Sequence, residues 1–389
     1  MSNQFLMPSR LYTGMDALKQ SEELFCEYGA SAFIVTDPLM ISLGNVQRIT
    51  DILDRLQIHY RIFSGVTGEP TTGMIQEGYD AYALCPEYTF IIAIGGGSVI
   101  DSAKAVAMMS VLKTIKNLCA CMGRSYTEKL PPIIAIPTTA GTGSEVTQFT
   151  IITDEQTDIK MLLKGSSLMP AAAIVDPSFT LSVPPIVTAA TGVDALCHAI
   201  EAYLSVHAQP LSSVHAVNAI QRILGNLQRA LQNPNNLDAR NEMALAALEA
   251  GIAFNNASVT IVHGMSRPIG ALFHIPHGES NAVLLMNCLH FINTHMHEKL
   301  EALSAALHLP KNSDTEDGAE VFIKTMEVFL AALHIPSLSA RGISRERFLQ
   351  CIEKMSKDAV SSGSPQNLGI DITREQIAML YQKLFADAC

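Results

Sequence analysis

Two short apolar runs in the first half of the chain each end in a loop of glycines and hydroxyls. Residues 90–98 read FIIAIGGGS, and residues 133–145 read IIAIPTTAGTGSE. An unbroken run of Ile and Ala suits a strand buried on both faces, and such strands belong to parallel sheets covered by helices. Residues 32–36 (AFIVT) form a third run, and helical patterns such as 98–112 lie between them. This alternation predicts βαβ units and a mainly parallel sheet with helices on both faces. It stops at Pro184 and Pro185. Beyond them, segments 188–206, 213–232, 238–254, 295–307, 317–333, 344–356 and 373–387 carry helical spacing and good helix formers. The expected organisation is an α/β domain over residues 1–184 and an all-helical domain over residues 185–389. Residues 309–318 (LPKNSDTEDG) are expected as an exposed loop, and residues 341–346 as polar surface.

Composition narrows the function classes. The 389 residues are 48% hydrophobic and 16% charged, with no Trp, as in an ordinary globular enzyme. No apolar run approaches the ~18 residues of a membrane span, and the N-terminus lacks the basic-then-apolar pattern of a signal peptide. The net charge is −11 with scattered basic residues, which disfavours nucleic acid as a partner. The eight cysteines, at 26, 85, 119, 121, 197, 288, 351 and 389, include no CxxC pair. Reduced thiols and a cytoplasmic setting are expected.

The GGGS loop joins an expected strand to a helix starting near Ser98. Glycines let a backbone approach a pyrophosphate, and the N–H groups of a helix start bind its oxygens. Ser98 with Asp101 also has capping-box spacing. The pattern is not GxGxxG, and GGGS alone reads equally as a tight turn. The second loop adds hydroxyls at Thr138, Thr139, Thr142 and Ser144. Two such loops at one sheet edge suit a dinucleotide. Asp37 follows the run AFIVT, where a carboxylate accepts ribose hydroxyls and repels a 2′-phosphate; capping before Pro38 is its other reading.

Residues 189–203 read AATGVDALCHAIEAY, placing Asp194 and His198 on one helical face. Residues 261–278 read IVHGMSRPIGALFHIPHG, with His263 and His277 flanking an expected loop of turn residues. One carboxylate and three imidazoles make a ligand set for Fe²⁺, Zn²⁺ or another divalent ion. Alone, the Asp-x-x-x-His pair also fits a helix surface; two histidines beside glycines in an apolar stretch do not. His274 lies near enough in sequence to join the set.

These motifs, in this order, resemble the iron-containing (type III) alcohol dehydrogenases. GGGSVIDSAK, PTTAGTGSEVT, the Lys160 region before Pro170 and Asp176–Pro177, TGVDALCHAIEAY and HGM…PHG span nearly the whole chain. The resemblance implies an N-terminal dinucleotide domain, a helical metal domain and an active site in the cleft between them. It implies that Asp194, His198, His263 and His277 bind the ion. It also implies cofactor contacts from Gly96, Gly97, Ser98, Asp101, Thr138, Thr139, Thr142 and Lys160. Asp37 stands where NAD-preferring members carry aspartate. The implied function is NAD-dependent hydride transfer between nicotinamide and a small alcohol or aldehyde. The family commonly dimerises through an N-terminal edge strand, which residues 5–12 supply in the expected homodimer or higher oligomer. Glycerol dehydrogenase, maleylacetate reductase and a dehydroquinate-synthase-like lyase share the architecture, and the four-ligand set argues against all three. A non-catalytic oligomeric scaffold has no need of four ligands and two phosphate loops.

One position departs from the family. Many members carry a histidine four residues after the third ligand, facing the nicotinamide. Here Arg267 occupies it. Arginine stays protonated, so it is a poor general base. As a catalytic-site residue it needs a counter-charge, either a protein carboxylate such as Glu279 or an anionic group on the substrate.

Overall fold

The computed structural model describes residues 3–84, 87–157, 159–311, 313 and 315–385. Cys85, Cys389 and positions 386–387 of the helix expected over 373–387 lie outside these, as do Asn312 and Asp314 of the expected 309–318 loop. The chain divides into two compact units, one of Leu6–Val183 and one of Pro184–Cys389 with Met1–Phe5.

The first unit holds strands β1 (Arg10–Thr13), β2 (Ser31–Val35), β3 (His59–Phe63), β4 (Phe90–Gly95), β5 (Ile133–Pro137), β6 (Phe149–Asp154), β7 (Ile159–Lys164) and β8 (Ala172–Val175). Six form a sheet in the order β1-β8-β5-β4-β2-β3, every pair parallel, while β6 and β7 form a separate antiparallel pair. The continuous apolar runs follow from burial on both faces. Phe33, Ile91, Ala93 and Ile133 pack into one core, and Ile34, Phe90, Ile92 and Ile134 into the other. Each buried Ile or Phe contributes about 1.5–3 kcal/mol. From β2 the chain moves outward to β3, whereas from β4 it moves the other way to β5. The C-terminal ends of β2 and β4 therefore flank the reversal point, where open α/β sheets bind ligands. Thr36 Oγ1 ties these ends together by donating to Ile94 O at 2.9 Å.

Two local expectations are corrected here. The helix after GGGS starts at Gly97 with Gly96 at its N-cap and no side-chain cap, so Ser98 and Asp101 form no capping box. Asp101 turns instead toward the next loop. The edge strand begins at Arg10 rather than at residue 5. Phe5 stacks on His215 at 6.1 Å, and Gln4 O accepts from Gln209 Nε2 at 2.9 Å, which ties the first residues to the helical unit.

The second unit has helices and no strand among its described residues, its α-helices being Pro185–Leu204, Pro210–Gln232, Leu237–Ala257, Ile261–Phe273, His277–Ala306, Gly318–Ala331, Arg345–Ser361 and Arg374–Lys383. The stretch between His263 and His277 is not the expected loop. It is mostly the helix Ile261–Phe273, with Pro268 inside it. Ile261, Met265 and Ile269 recur every four residues and are buried, a helical period hidden by Gly264, Pro268 and Gly270. The next helix starts at His277, far ahead of the expected residue 295, because Met296 (φ −136°, ψ 37°) breaks its periodicity. Residues 341–346 are largely exposed, as expected, with Ile343 buried; Arg341 there pairs through both its Nε and Nη2 with the buried Glu279. No single helix among the described residues is long and apolar enough to cross a membrane.

Candidate metal centre and nucleotide loops

Three helices of the second unit bring the expected ligands together. Asp194, His198 and Glu201 lie at i, i+4 and i+7 on Pro185–Leu204, one face of one helix. His263 lies in the first turn of Ile261–Phe273, and His277 opens His277–Ala306. Gly278 allows the close approach: a Cβ there would fall 2.2 Å from Ala190 O. Asp194 Oδ1 is the hub, with His263 Nε2 at 3.4 Å, His277 Nε2 at 3.7 Å and His198 Nε2 at 3.9 Å. The ligand atoms of Asp194, His263 and His277 all lie within 4.8 Å of one another. His198 stands beside this trio, its ring stacked between His263 (4.4 Å) and Phe254 (4.2 Å). His274 is not part of the group; it is exposed, in left-handed conformation at the end of its helix.

Sequence reasoning missed two residues here. Glu201 is fully buried. Its Oε1 accepts from Thr260 N (2.9 Å), Thr260 Oγ1 (2.8 Å), Val262 N (2.8 Å) and His263 N (3.3 Å), and its Oε2 contacts His263 Nδ1. One carboxylate thus caps a helix start and orients an imidazole. A proton held on Nδ1 leaves Nε2 facing the hub with its lone pair. The second is Asn281, one turn beyond His277. Its Nδ2 lies 2.7 Å from Asp194 Oδ1, 3.3 Å from His263 Nε2 and 3.4 Å from His277 Nε2, while its buried Oδ1 has no partner. The signals were present, a carboxylate seven residues after Asp194 and an amide four after His277, but neither spacing is distinctive alone.

The electrostatics suit a cation. Burial opposes ionisation of Asp194, yet His198, His277 and His263 hold its carboxyl well below the usual range. Burial pushes His277 down to about 3, against the pull of Asp194, and neighbouring His263, His198 and Arg267 push the same way. Burial also disfavours the charged His263, but Glu201 and Asp194 together more than offset it and raise the ring to about 9, so the positive charge that Asp194 draws to Nε2 is a proton unless a metal ion takes its place. Several buried lone pairs converge on one small volume, and the amide of Asn281 supplies the N–H groups there. A divalent ion fits that donor set.

Arg267 lies one turn after His263. Its Nη1 donates to Ser364 Oγ at 3.1 Å. Glu279, the carboxylate first considered for it, is taken by Arg341.

The first unit gathers most of the expected nucleotide contacts. Gly95 pairs with Pro137, and Thr138 N donates to Gly95 O at 3.0 Å, so the two loops leave adjacent strands side by side. A Cβ on Gly97 would meet Thr142 Cγ2 at 2.7 Å, and one on Gly96 would meet Thr139 Oγ1 at 3.6 Å. Ser98 follows in the first turn of the helix. Asp101 is committed to the chain: Oδ1 accepts from Ser144 Oγ, and Oδ2 from Ile151 N at 2.9 Å. Beneath the loop, the buried Lys104 donates to Ser144 O, Thr147 O and Phe149 O at 2.7–2.8 Å. Asp37 lies just past β2 at the reversal point. Its Oδ1 caps the helix Pro38–Ser42 by accepting from Met40 N at 2.9 Å. Lys160 stands apart on β7, paired with Glu69 at 2.5 Å.

Comparison with known proteins agrees across both units. Residues 8–177 match the model of the iron-containing alcohol dehydrogenases, and residues 188–385 match that of the C-terminal part of the same family. Long-chain-alcohol dehydrogenase 1 of Geobacillus thermodenitrificans is 35% identical over 98% of this chain and 97% of its own. Choline dehydrogenase of Bacillus subtilis is 32% identical over 98% of this chain and 94% of its own. A crystal structure of 1,3-propanediol oxidoreductase, 31% identical, superposes with a TM-score of 0.93 over 99% of this chain and all of that one. The chain belongs to the iron-containing alcohol dehydrogenase family and is an oxidoreductase.

Proposed function

We propose that the chain is an NAD-linked, divalent-metal-dependent alcohol dehydrogenase and aldehyde reductase, with Asp194, His198, His263 and His277 holding Fe²⁺ or a similar ion such as Zn²⁺. The observation that carries this is the convergence of three imidazole Nε2 atoms on Asp194 Oδ1 inside the helical unit. A bound divalent ion supplies Lewis-acid polarisation of the alcohol or aldehyde oxygen, and nicotinamide supplies or accepts the hydride. Glu201 keeps His263 turned toward the site, and Asn281 holds Asp194 in place. In the first unit, the N–H groups at Gly96, Gly97 and Ser98 suit the pyrophosphate, with Thr138, Thr139 and Thr142 beside them. Asp37 retains Oδ2 for a ribose hydroxyl. Asp101 supports the loop, and Lys160 is the most peripheral member of the cofactor set.

The relatives are named for substrates as unlike as choline and long-chain alcohols, so family membership leaves the substrate open. The free thiols among the described cysteines suit the cytoplasm. The sheet-edge position of β1 suits pairing with a second copy in a homodimer.

The test is His277→Ala. Removing one ligand should collapse bound metal, measured by elemental analysis, together with NADH-dependent aldehyde reduction. Full turnover by a metal-free variant would refute the assignment.

A further inference from the structure

Arg267 is a guanidinium embedded in the helical unit beside the candidate metal centre. Its N–H groups outnumber their protein acceptors. Among the described residues, one of its five donors reaches an acceptor, Ser364 Oγ. Among the described residues, no carboxylate oxygen lies within 4.0 Å of it. The nearby acidic groups are committed elsewhere. Asp194 faces three imidazoles and the Asn281 amide, Glu201 holds His263 and the start of its helix, and Glu279 is paired with Arg341. The guanidinium is partly buried, and the opposing charge that acts on it, Glu201, is shared with His263; a partly desolvated cation without a carboxylate of its own is costly. With a divalent ion on the ligand set, two carboxylates face three positive charges, leaving one excess positive charge to meet an incoming ligand.

The placement of that charge is specific. Arg267 follows His263 by one helical turn, roughly 5.4 Å along the axis. Ser364, from the segment preceding Arg374–Lys383, fixes one arm of the fork. The remaining N–H groups match two oxygens of a carboxylate, sulfonate or phosphonate better than any neutral group. A hydroxyl or alkyl tail would leave the charge uncompensated.

We propose that Arg267, steadied by Ser364, receives an anionic group on the substrate, so that this enzyme acts on short aldehydes and alcohols carrying a carboxylate or a similar acid. The proposal rests on the aldehyde-reductase reading above and names its substrate class.

The test uses full-length, metal-loaded protein and two aldehydes of equal chain length, succinic semialdehyde and butanal, with NADH. The parent should favour succinic semialdehyde. Arg267→Met and Arg267→Lys should lower the ratio of kcat/KM for succinic semialdehyde over butanal about ten- to a hundredfold, the loss of one charge-assisted two-point contact. Ser364→Ala should lower it less, in the same direction. Calorimetry supplies a readout that needs no turnover: on the parent–NADH complex, 4-hydroxybutyrate should bind more tightly than 1-butanol. Equal loss on both aldehydes, or equal affinity for the two alcohols, overturns the proposal. So does a fall in NADH affinity with the aldehyde ratio unchanged, which would place the guanidinium on a cofactor phosphate. A parent that holds metal and NADH but reduces neither aldehyde overturns the aldehyde-reductase reading itself, a distinguishable failure.

Discussion

Replacing Glu201 by Gln isolates what a buried carboxylate does for a candidate metal ligand it orients. Glutamine keeps one carbonyl oxygen in place of Oε1, so the bonds from Thr260 and Val262 that start the helix survive. The other oxygen becomes an amide donor facing His263 Nδ1. Two donors then meet unless His263 moves its proton to Nε2, the atom that faces Asp194. Either outcome removes a lone pair from the ligand set. A hydrogen bond to a charged partner contributes about 1.5–3 kcal/mol. At roughly 1.4 kcal/mol per decade, the metal dissociation constant should rise about ten- to a hundredfold.

The assay is chelator competition for Zn²⁺ on the apo-protein, with elemental analysis of the purified form. Thermal unfolding of the apo-protein reports whether the fold survives. Glu201→Ala is the poorer variant, because it also strips the helix start of its acceptor and leaves buried N–H groups unpaired at about 1–3 kcal/mol each. Glu201→Asp, charged but shorter, should recover part of the affinity. A folded Glu201→Gln protein that binds metal within twofold of the parent would refute the reasoning.

Two further outcomes concern the first unit. Asp37→Gly should narrow the preference for NADH over NADPH by removing a negative charge from the end of β2; comparable kcat/KM for both cofactors in the parent would refute the role. Burial raises the Glu145 carboxyl to about 7, against the pull of its own backbone hydrogen bond and of Lys104. Between the ordinary carboxyl value of 4.5 and about 7 the folded state holds a proton the unfolded state has lost, so this stabilisation is present at low pH and is lost as pH rises to about 7. That span is worth about 3 kcal/mol at ~1.4 kcal/mol per pH unit. Glu145→Gln cannot ionise, so its melting temperature should gain on the parent's between pH 5 and pH 8; parallel curves would show that Glu145 does not titrate in that window.

How far the sequence could be read differed sharply between neighbouring residues. The central strands β2, β4 and β5 were legible because burial on both faces demands unbroken apolar runs. Strand β3 (HYRIF) lies at the sheet edge and is largely exposed, while β8 (AAIV) is short and made of residues equally at home in a helix. The four candidate ligands were legible because few roles place a carboxylate and three imidazoles among apolar residues and glycines. The counter-charge of Glu279 was not legible. Sequence offered Arg267 as its partner, and Arg341, 62 positions away, takes it instead.

The helix carrying His263 shows why local pattern ran out at that point. Its N-cap, Thr260, makes no side-chain cap bond, and Gly264, Pro268 and Gly270 all weaken helical propensity. Nothing in residues 260–273 announces a helix start. The acceptors for its first N–H groups come from Glu201, on a different helix and some sixty residues earlier. The same carboxylate fixes the imidazole of His263. Helix formation and ligand orientation at His263 therefore depend on one long-range group. A substitution that spares the ligands can still disable the centre by releasing the segment that presents them.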